Sequence, residues 1–375
     1  GDSDPQSFTT IGTTLFFWAN DGTNGSELWK TDGSESGTTM VKDINTTLGD
    51  GSRTFTKTLF DLDGTLFFAA NDGVNGTELW KSDGTSDGTI LVKNIFSTTI
   101  GGQEQGSNPS AFAALDGKLF FSAADGCTQS SGRCNYSNTE LWTSDGTAEN
   151  TQMVTRLYMT IGRGGSNPKN LTAYGSDIFF SARTGTGNDG LTNYELWKSD
   201  GTESGTSKVK EINNAAFGSS LRGSNPSELV VLNDKLIFTA QSPVGDDIDV
   251  ELWETDGTES GTVMIKNINT ITGSWPEKFA IVGDKLFFVA RDDTHGEELW
   301  KTDGTETGTV LIKDIIDGSD DPVFNNYFSV QNDTLYMDLN DGIYDTELWK
   351  SDGSDSGTSM VKDINPAGHG VPEYD

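Results

Sequence analysis

The chain has 375 residues, and its 33% apolar residues together with 45 glycines favour a folded domain over disorder. Its 57 acidic residues outnumber 25 basic ones, and the net charge of −32 repels phosphate backbones and anionic lipid, so we expect no nucleic-acid partner. No apolar run approaches the roughly 18 to 20 residues that span a bilayer, so no transmembrane segment is predicted.

Internal repetition dominates the sequence. The triplet Glu-Leu-Trp occurs seven times at intervals of 47 to 62 residues, and an Asp-Gly pair and a short apolar run follow each copy. A fixed period of this length indicates a repeat architecture. We number the repeats 1 to 7 by their triplets, which begin at Glu27, Glu78, Glu140, Glu195, Glu251, Glu298 and Glu347.

Each repeat holds four short β-runs separated by turn residues. In repeat 3 these runs are Ala111–Leu115, Leu119–Ser122, Glu140–Trp142 and Met153–Leu157. Four strands per unit, repeated seven times without helical periodicity, predict an all-β, seven-bladed β-propeller with antiparallel strands. The whole chain is then one domain, with blades at about 4–45, 46–96, 97–158, 159–213, 214–269, 270–316 and 317–365 and a tail of 366–375.

The repeated motif resembles that of the ELWxxDGT repeat proteins, from Leu15 to Ile364. This resemblance implies an extracellular, propeller-like and non-enzymatic protein, and it supplies no catalytic residues.

The motif residues have a structural interpretation. If Thr31 pairs with Thr38 across the Asp32-Gly33 turn, Glu27 faces Lys42, and the same register places Glu195 opposite Lys210. We therefore predict cross-strand ion pairs, each contributing about 0.2 to 1 kcal/mol. The repeated tryptophans are predicted to pack between blades, and the repeated aspartates to form Asx-turns.

Loop variation is confined to one predicted face of the propeller, which is the candidate binding face because recognition usually lies on variable loops. Trp18, Trp275 and Tyr136 are its candidate ligand-binding aromatics. Several of its loops cluster carboxylates, which are the ligands that Ca²⁺ prefers. These weak candidate Ca²⁺ ligands are Asp246, Asp247, Asp249, Asp292, Asp293, Asp317, Asp320 and Asp321. The alternative is that they are simply solvated acidic loops.

A secreted location is expected from the two cysteines and from the beginning of the chain. Cys127 and Cys134 flank a short polar stretch and are predicted to form a disulfide in an oxidising compartment. The chain begins at Gly1, and we expect a processed mature form. Six sequons are glycosylation candidates in a eukaryotic secretory pathway, at Asn24, Asn45, Asn75, Asn135, Asn170 and Asn332.

These observations favour a secreted, non-enzymatic scaffold that binds an extracellular glycan or protein. The alternatives are a structural subunit of a surface layer or filament, built by self-assembly, and a secreted polysaccharide hydrolase or lyase. His295 and His369 are far apart in sequence and no nucleophile motif occurs, so we predict no catalytic residue. No cofactor other than Ca²⁺ is predicted.

Overall fold

A computed structural model describes residues 2–46, 58–100, 103–130, 133–157, 165–183, 193–213, 216–217, 220–221, 223–244, 247–318 and 320–366. All regular structure in these ranges is β-strand, which confirms the all-β prediction. No helix in them is long and apolar enough to cross a membrane.

The strands form four-stranded antiparallel sheets, and in each sheet the strands lie side by side in chain order. Each sheet is given the number of the repeat whose triplet it contains. Sheet 1 contains β1 (Gln6–Ile11), β2 (Thr14–Asn20), β3 (Ser26–Thr31) and β4 (Thr39–Lys42). Sheet 2 contains β5 (Leu59–Leu62), β6 (Thr65–Asn71), β7 (Thr77–Ser82) and β8 (Ile90–Lys93). After the hairpin of β9 (Thr99–Ile100) and β10 (Gln103–Glu104), sheet 3 contains β11 (Ser110–Leu115), β12 (Lys118–Ser130), β13 (Arg133–Ser144) and β14 (Gln152–Thr155).

The later repeats follow the same plan. Sheet 4 contains β15 (Lys169–Tyr174), β16 (Asp177–Arg183), β17 (Tyr194–Ser199) and β18 (Ser207–Lys210), and the hairpin of β19 (Ala216–Phe217) and β20 (Ser220–Leu221) follows. Sheet 5 contains β21 (Ser227–Leu232), β22 (Lys235–Val244), β23 (Asp247–Thr255) and β24 (Val263–Lys266). Sheet 6 contains β25 (Glu277–Val282), β26 (Lys285–Asp292), β27 (Gly296–Thr302) and β28 (Val310–Lys313). Sheet 7 contains β29 (Val323–Gln331), β30 (Thr334–Asn340), β31 (Thr346–Ser351) and β32 (Ser359–Lys362).

The chain divides into two compact units, residues 1–186 with 197–207 and residues 187–196 with 208–375. Sheets 1–3 belong to the first unit and sheets 5–7 to the second.

The hydrophobic core lies between successive sheets within each unit. Leu28 and Val41 of sheet 1 pack in one cluster with Leu66, Phe68 and Trp80 of sheet 2. Trp80, Trp142, Trp300 and Trp349 of the triplets each pack in a cluster with residues of the preceding sheet, as predicted. Each sheet therefore has two apolar faces and depends on neighbours for burial.

The predicted Glu–Lys register is wrong by one residue. Trp29 pairs with Met40 as expected, but a β-bulge follows, and Lys42 lies opposite Leu28 instead of Glu27. A bulge places two residues against one, so the lysine and the glutamate do not meet. In sheet 4, Lys210 likewise donates from Nζ to the carbonyl of Thr262, 2.7 Å away, and does not pair with Glu195.

The second and third strands of sheet 3 are longer than the predicted runs Leu119–Ser122 and Glu140–Trp142, since β12 continues to Ser130 and β13 begins at Arg133. In sheet 5, β22 likewise continues to Val244 and β23 begins at Asp247. Cys127 lies in β12 and has no free thiol. The side chain of Cys134 lies outside the described residues, so the disulfide pairing stays a prediction.

The DGT loop after each triplet is held by its aspartate. Asp200 Oδ1 accepts hydrogen bonds from the backbone N–H of Thr202 at 2.8 Å and from its hydroxyl at 2.7 Å. Both bonds lower the pKa of Asp200, and the bond from the Thr202 hydroxyl has the larger effect. A Cβ added at Gly205 would lie 2.1 Å from the same carboxylate, which explains the second glycine of the motif. Repeat 3 has Asn150 at this position, and its amide donates to Asp145 Oδ2 at 2.6 Å.

We predict that Gly205→Ala destabilises the protein by about 1 to 3 kcal/mol, because the new methyl group displaces the aspartate that holds the loop. Gly205→Asn is the matched control, since an asparagine amide can bond to the aspartate as in repeat 3. Urea denaturation of both variants checks the prediction, and an alanine variant as stable as the asparagine variant would contradict it.

Candidate functional site

The glutamate of each triplet is a buried carboxylate in the third strand of its sheet. Six of these side chains are fully buried and Glu347 is nearly so. Glu78 accepts four hydrogen bonds, from the backbone N–H groups of Ile95, Phe96 and Ser107 and from the Ser107 hydroxyl at 2.5 Å. Four donors fill the four lone-pair positions of an ionised carboxylate.

The serine comes from a second recurring motif, Gly-Ser-Asn-Pro, which precedes the first strand of the next sheet. Ser166 donates to Glu140, Ser224 to Glu195 and Ser274 to Glu251, the last two from the hydroxyl at 2.6 Å. The glycine before this serine is equally constrained, since a Cβ at Gly223 would lie 2.3 Å from the backbone nitrogen of Tyr194. Glutamate and serine together therefore connect consecutive repeats.

Burial strongly affects the titration of these glutamates. It raises the pKa of Glu195 and of Glu251 to about 7, although the serine hydroxyls oppose the shift. Burial raises the pKa of Glu298 further, to about 8. Here Asp320 stands where other repeats have the serine, and the donors described for Glu298 are backbone groups of Ile315 and Ile316.

A pKa near 7 is typical of catalytic acids, but these carboxylates are closed off from solvent. A substrate could not reach their oxygens without separating two repeats. Their chemistry is that of buried hydrogen-bond acceptors that hold the fold.

An open pocket lies in the second unit, beside the first strands of sheets 5 and 6. Its volume is about 320 Å³, within the range of small-ligand sites. Trp275 lines it and is 51% exposed. The other lining residues are Asn225, Ser227, Glu228, Thr239, Gln241, Val250, Pro276 and Glu277.

Trp275 has an unusual backbone conformation. It occupies the asparagine position of the Gly-Ser-Asn-Pro motif, where Asn108, Asn167 and Asn225 have φ between +46° and +49°. Trp275 has φ +50°. Asparagine tolerates this left-handed region, whereas a bulky side chain there is an outlier, and such outliers cluster at functional sites.

The pocket is acidic. The pKa of Glu228 is raised mainly by partial burial and to a smaller extent by the negative charge of Glu277. Lys278 contacts Glu277 at 2.5 Å and partly offsets this charge. Glu228 itself has φ +52° and lies in the bulge of β21, which is a feature that redirects side chains. An exposed indole beside carboxylates and amides suits an organic cation, since the ring face and the carboxylates both attract positive charge.

The two other predicted ligand-face aromatics are Trp18 and Tyr136. Trp18 is fully buried and makes an edge contact with Phe68, so its assignment to a ligand face is wrong. The side chain of Tyr136 lies outside the described residues. Sequence reasoning missed Glu228 and Glu277. The tryptophan at position 275, where the Gly-Ser-Asn-Pro motif otherwise has asparagine, was a signal for the pocket.

The candidate Ca²⁺ ligands are mostly engaged in hydrogen bonds. Asp292 accepts from the backbone and ring of His295, Asp293 from Thr270, and Asp321 from Arg291 and the Glu297 backbone. Within the described ranges, no group of three or more His, Cys, Asp or Glu residues could hold a metal ion. Asp249 is buried in β23 with its Oδ2 bonded to Ser242, and Asp317 and Asp320 are exposed. Asp246 and the side chain of Asp247 lie outside the described residues.

The sequons differ in accessibility. Asn45 is buried. The amide nitrogens of Asn24 and Asn75 donate to Asp21 and Asp72, each at 2.7 Å. Asn170 and Asn332 are exposed, and the side chain of Asn135 lies outside the described residues.

No protein-family model and no curated protein matches the chain. Among solved structures, a puromycin hydrolase S511A mutant in complex with PGG aligns at TM-score 0.50 and 14% identity over 99% of this chain and 54% of its own. A structure from a study of two prolyl endopeptidases aligns at TM-score 0.52 and 13% identity over 96% of this chain and 49% of its own. The β-propeller domain of the Trilobed protease from Pyrococcus furiosus aligns at TM-score 0.47 and 12% identity over 97% of this chain and 99% of its own.

The first two likenesses show a shared fold, and this chain spans about half the length of each of those two chains. They correct the functional prediction. The expectations of a non-enzymatic glycan-binding scaffold and of a protein that is not an enzyme are wrong, because the structures that align are those of puromycin-hydrolysing enzymes and a prolyl endopeptidase. The structural-subunit and polysaccharide-hydrolase alternatives fit no better.

We predict that Ser224→Ala lowers the free energy of unfolding by about 1.5 to 3 kcal/mol, because a buried carboxylate loses a hydroxyl donor. Ser204→Ala, in an exposed loop, is the control and should change stability little. Equal effects of the two substitutions in urea denaturation would contradict the proposed role of the Ser224–Glu195 bond.

The raised pKa of Glu298 predicts a dependence of stability on pH. Because its folded pKa of about 8 lies above the ordinary 4.5, the folded state binds the proton more tightly. This contribution is complete below pH 4.5 and is lost as the pH rises through 8, with a slope of at most about 1.4 kcal/mol per pH unit.

Glu298→Gln should flatten the stability profile between about pH 5 and pH 8, because glutamine does not titrate. The control is Glu306→Gln, in an exposed loop. Urea denaturation at several pH values checks this, and an unchanged slope in the Glu298 variant would refute it.

Proposed function

We propose that the seven sheets are blades of a β-propeller and that this propeller is the substrate-receiving part of a peptidase-type enzyme. The observation that carries the proposal is the alignment of nearly the whole chain with about half of each peptidase chain. Hydrolysis would then depend on a partner region equivalent to the remainder of those chains. A secreted location belongs to the same proposal and is supported by the absence of a free thiol at Cys127.

The pocket beside Trp275 supplies the substrate chemistry of this proposal. The matched proteins act on puromycin and prolyl peptides according to their names, and both substrate classes contain amide bonds. Here, Glu228 and Glu277 beside the exposed indole favour a peptide that carries an ammonium or guanidinium group. The net charge of −32 would also steer such a peptide toward the protein.

Binding of short fluorescent peptides with lysine or arginine side chains tests the proposal. We expect binding of the basic peptides, and Trp275→Ala should weaken it about tenfold or more, because a desolvated cation–π contact and its packing are lost. Ile271→Ala is the matched control, since Ile271 is an exposed apolar residue outside the pocket. Equal binding of basic and acidic peptides, or no effect of Trp275→Ala, would overturn the assignment of this pocket.

A further inference from the structure

The turn between the second and third strands is held in the same way in repeats 1, 2 and 6. In repeat 2, Asp72 Oδ1 accepts from the backbone N–H groups two and three residues later, and its Oδ2 accepts from the side-chain amide of Asn75 at 2.7 Å. Repeat 1 has the same three bonds. In repeat 6, Asp292 Oδ1 accepts the two backbone bonds and its Oδ2 lies 2.7 Å from His295 Nδ1. A histidine therefore takes the place of the asparagine amide in an otherwise unchanged turn.

The residue that follows the fourth strand changes together with the turn. In repeat 2, Asn94 comes directly after β8, and its amide nitrogen donates to Asn75 Oδ1 at 2.8 Å. In repeat 6 the equivalent residue is Asp314, directly after β28. Asp314 Oδ1 is buried and accepts no hydrogen bond in the described part of the chain. A neutral pair of amides in repeat 2 thus corresponds to a histidine and a carboxylate in repeat 6.

The His295 ring is close to two carboxylates and its side chain is 37% exposed, so it can exchange a proton with solvent. The hydrogen bond to Asp292 raises the pKa of His295 most, and the charges of Asp292 and Asp314 add to this rise. The imidazolium balances both carboxylates, so its stabilising effect is complete below the ordinary pKa of 6.5. This effect is lost as the pH rises through the raised pKa of the folded state.

The other charged groups of this region have partners of their own. Arg291 contacts Asp321, Asp293 accepts from the backbone and hydroxyl of Thr270, and Lys313 contacts Asp355 at 2.8 Å. The charge that responds to His295 is therefore that of Asp292 and Asp314.

Asp314 stands where the connection from sheet 6 to sheet 7 begins. The backbone N–H groups of the next two residues, Ile315 and Ile316, donate to Glu298. Burial is the main cause of the raised pKa of Glu298, and the charge of Asp314 adds to it. Loss of the proton from His295 leaves the negative charge of Asp314 without its counter-charge at this point.

We infer that His295 and Asp314 form a pH-sensitive clasp between the turn 292–296 and the segment that follows β28. The protonated ring holds the turn and the segment together, and the clasp loosens when the ring becomes neutral. Repeat 2 has the same contact in a form that does not titrate, because Asn75 and Asn94 are amides. This inference does not depend on the proposed peptidase context.

Hydrogen exchange of the intact chain, followed by mass spectrometry between about pH 6 and about pH 8.5, tests the inference. Each rate is divided by the intrinsic rate at the same pH, which gives a protection factor. Peptides covering 292–296 and 314–318 should lose protection about threefold to fivefold as the pH rises, since the ion pair is partly exposed. Peptides covering the equivalent residues of repeat 2, 72–76 and 94–97, should keep theirs.

His295→Asn is the matched variant, because asparagine makes the same bond to the aspartate in repeats 1 and 2 and does not titrate. It should abolish the pH dependence of both peptides in repeat 6. His295→Ala, which removes the bond, should have low protection at both pH values. Equal losses of protection in the wild type and in His295→Asn would overturn the inference, as would a wild type whose protection does not change.

Glu298→Gln separates the clasp from the titration of the buried glutamate. The turn 292–296 should still lose protection at high pH in this variant, because His295 and Asp314 are both retained. A pH dependence that disappears in Glu298→Gln would assign the effect to Glu298 and overturn the role of His295.

Discussion

The fold depends on a buried carboxylate that receives its hydrogen bonds from the beginning of the next repeat. An isolated charge is costly in the apolar boundary between two consecutive sheets, which we call a seam. It is tolerated there only when hydrogen-bond donors of the protein replace water. In repeats 2 and 5 the backbone N–H groups and one serine hydroxyl provide four bonds to Glu78 and Glu251. This requirement links the triplet to the Gly-Ser-Asn-Pro motif, two segments that the sequence shows as separate signals. The same seam leaves no room for a side chain at the glycine of the second motif.

The seams are not equivalent, and their differences follow from the donors. Where Ser224 and Ser274 donate, burial moves the pKa of Glu195 and Glu251 only to about 7. Where an aspartate replaces the serine, the pKa of Glu298 reaches about 8, and the nearby charges of Asp314 and Asp321 add to the effect of burial. The contact at Glu298 therefore titrates at a higher pH than those at Glu195 and Glu251. Lysine bonds to the DGT loop of the next sheet, from Lys266 to Thr309 and from Lys301 to Gly353, also connect consecutive sheets.

The sequence predicts the strands, their order in each sheet and the DGT turns, because these depend on local alternation and on turn residues. It does not predict the bulge that moves Lys42 from Glu27 to Leu28, since a bulge adds one residue without a local signal. It also cannot separate Trp18 from Trp275. Both are tryptophans outside the triplet, and only packing shows that one faces Phe68 in the core and the other faces solvent.

The residues that repeat and the residues that break the repeat have different roles. The repeated glutamates and aspartates, and lysines such as Lys30, Lys210 and Lys301, make hydrogen bonds within or between sheets, so the fold already uses these polar groups. Departures from the pattern are where contacts remain available. Trp275 replaces an asparagine and opens toward a pocket. A search for function in such a chain should therefore begin at the exceptions to its repeat, because the consensus positions are already used by the fold.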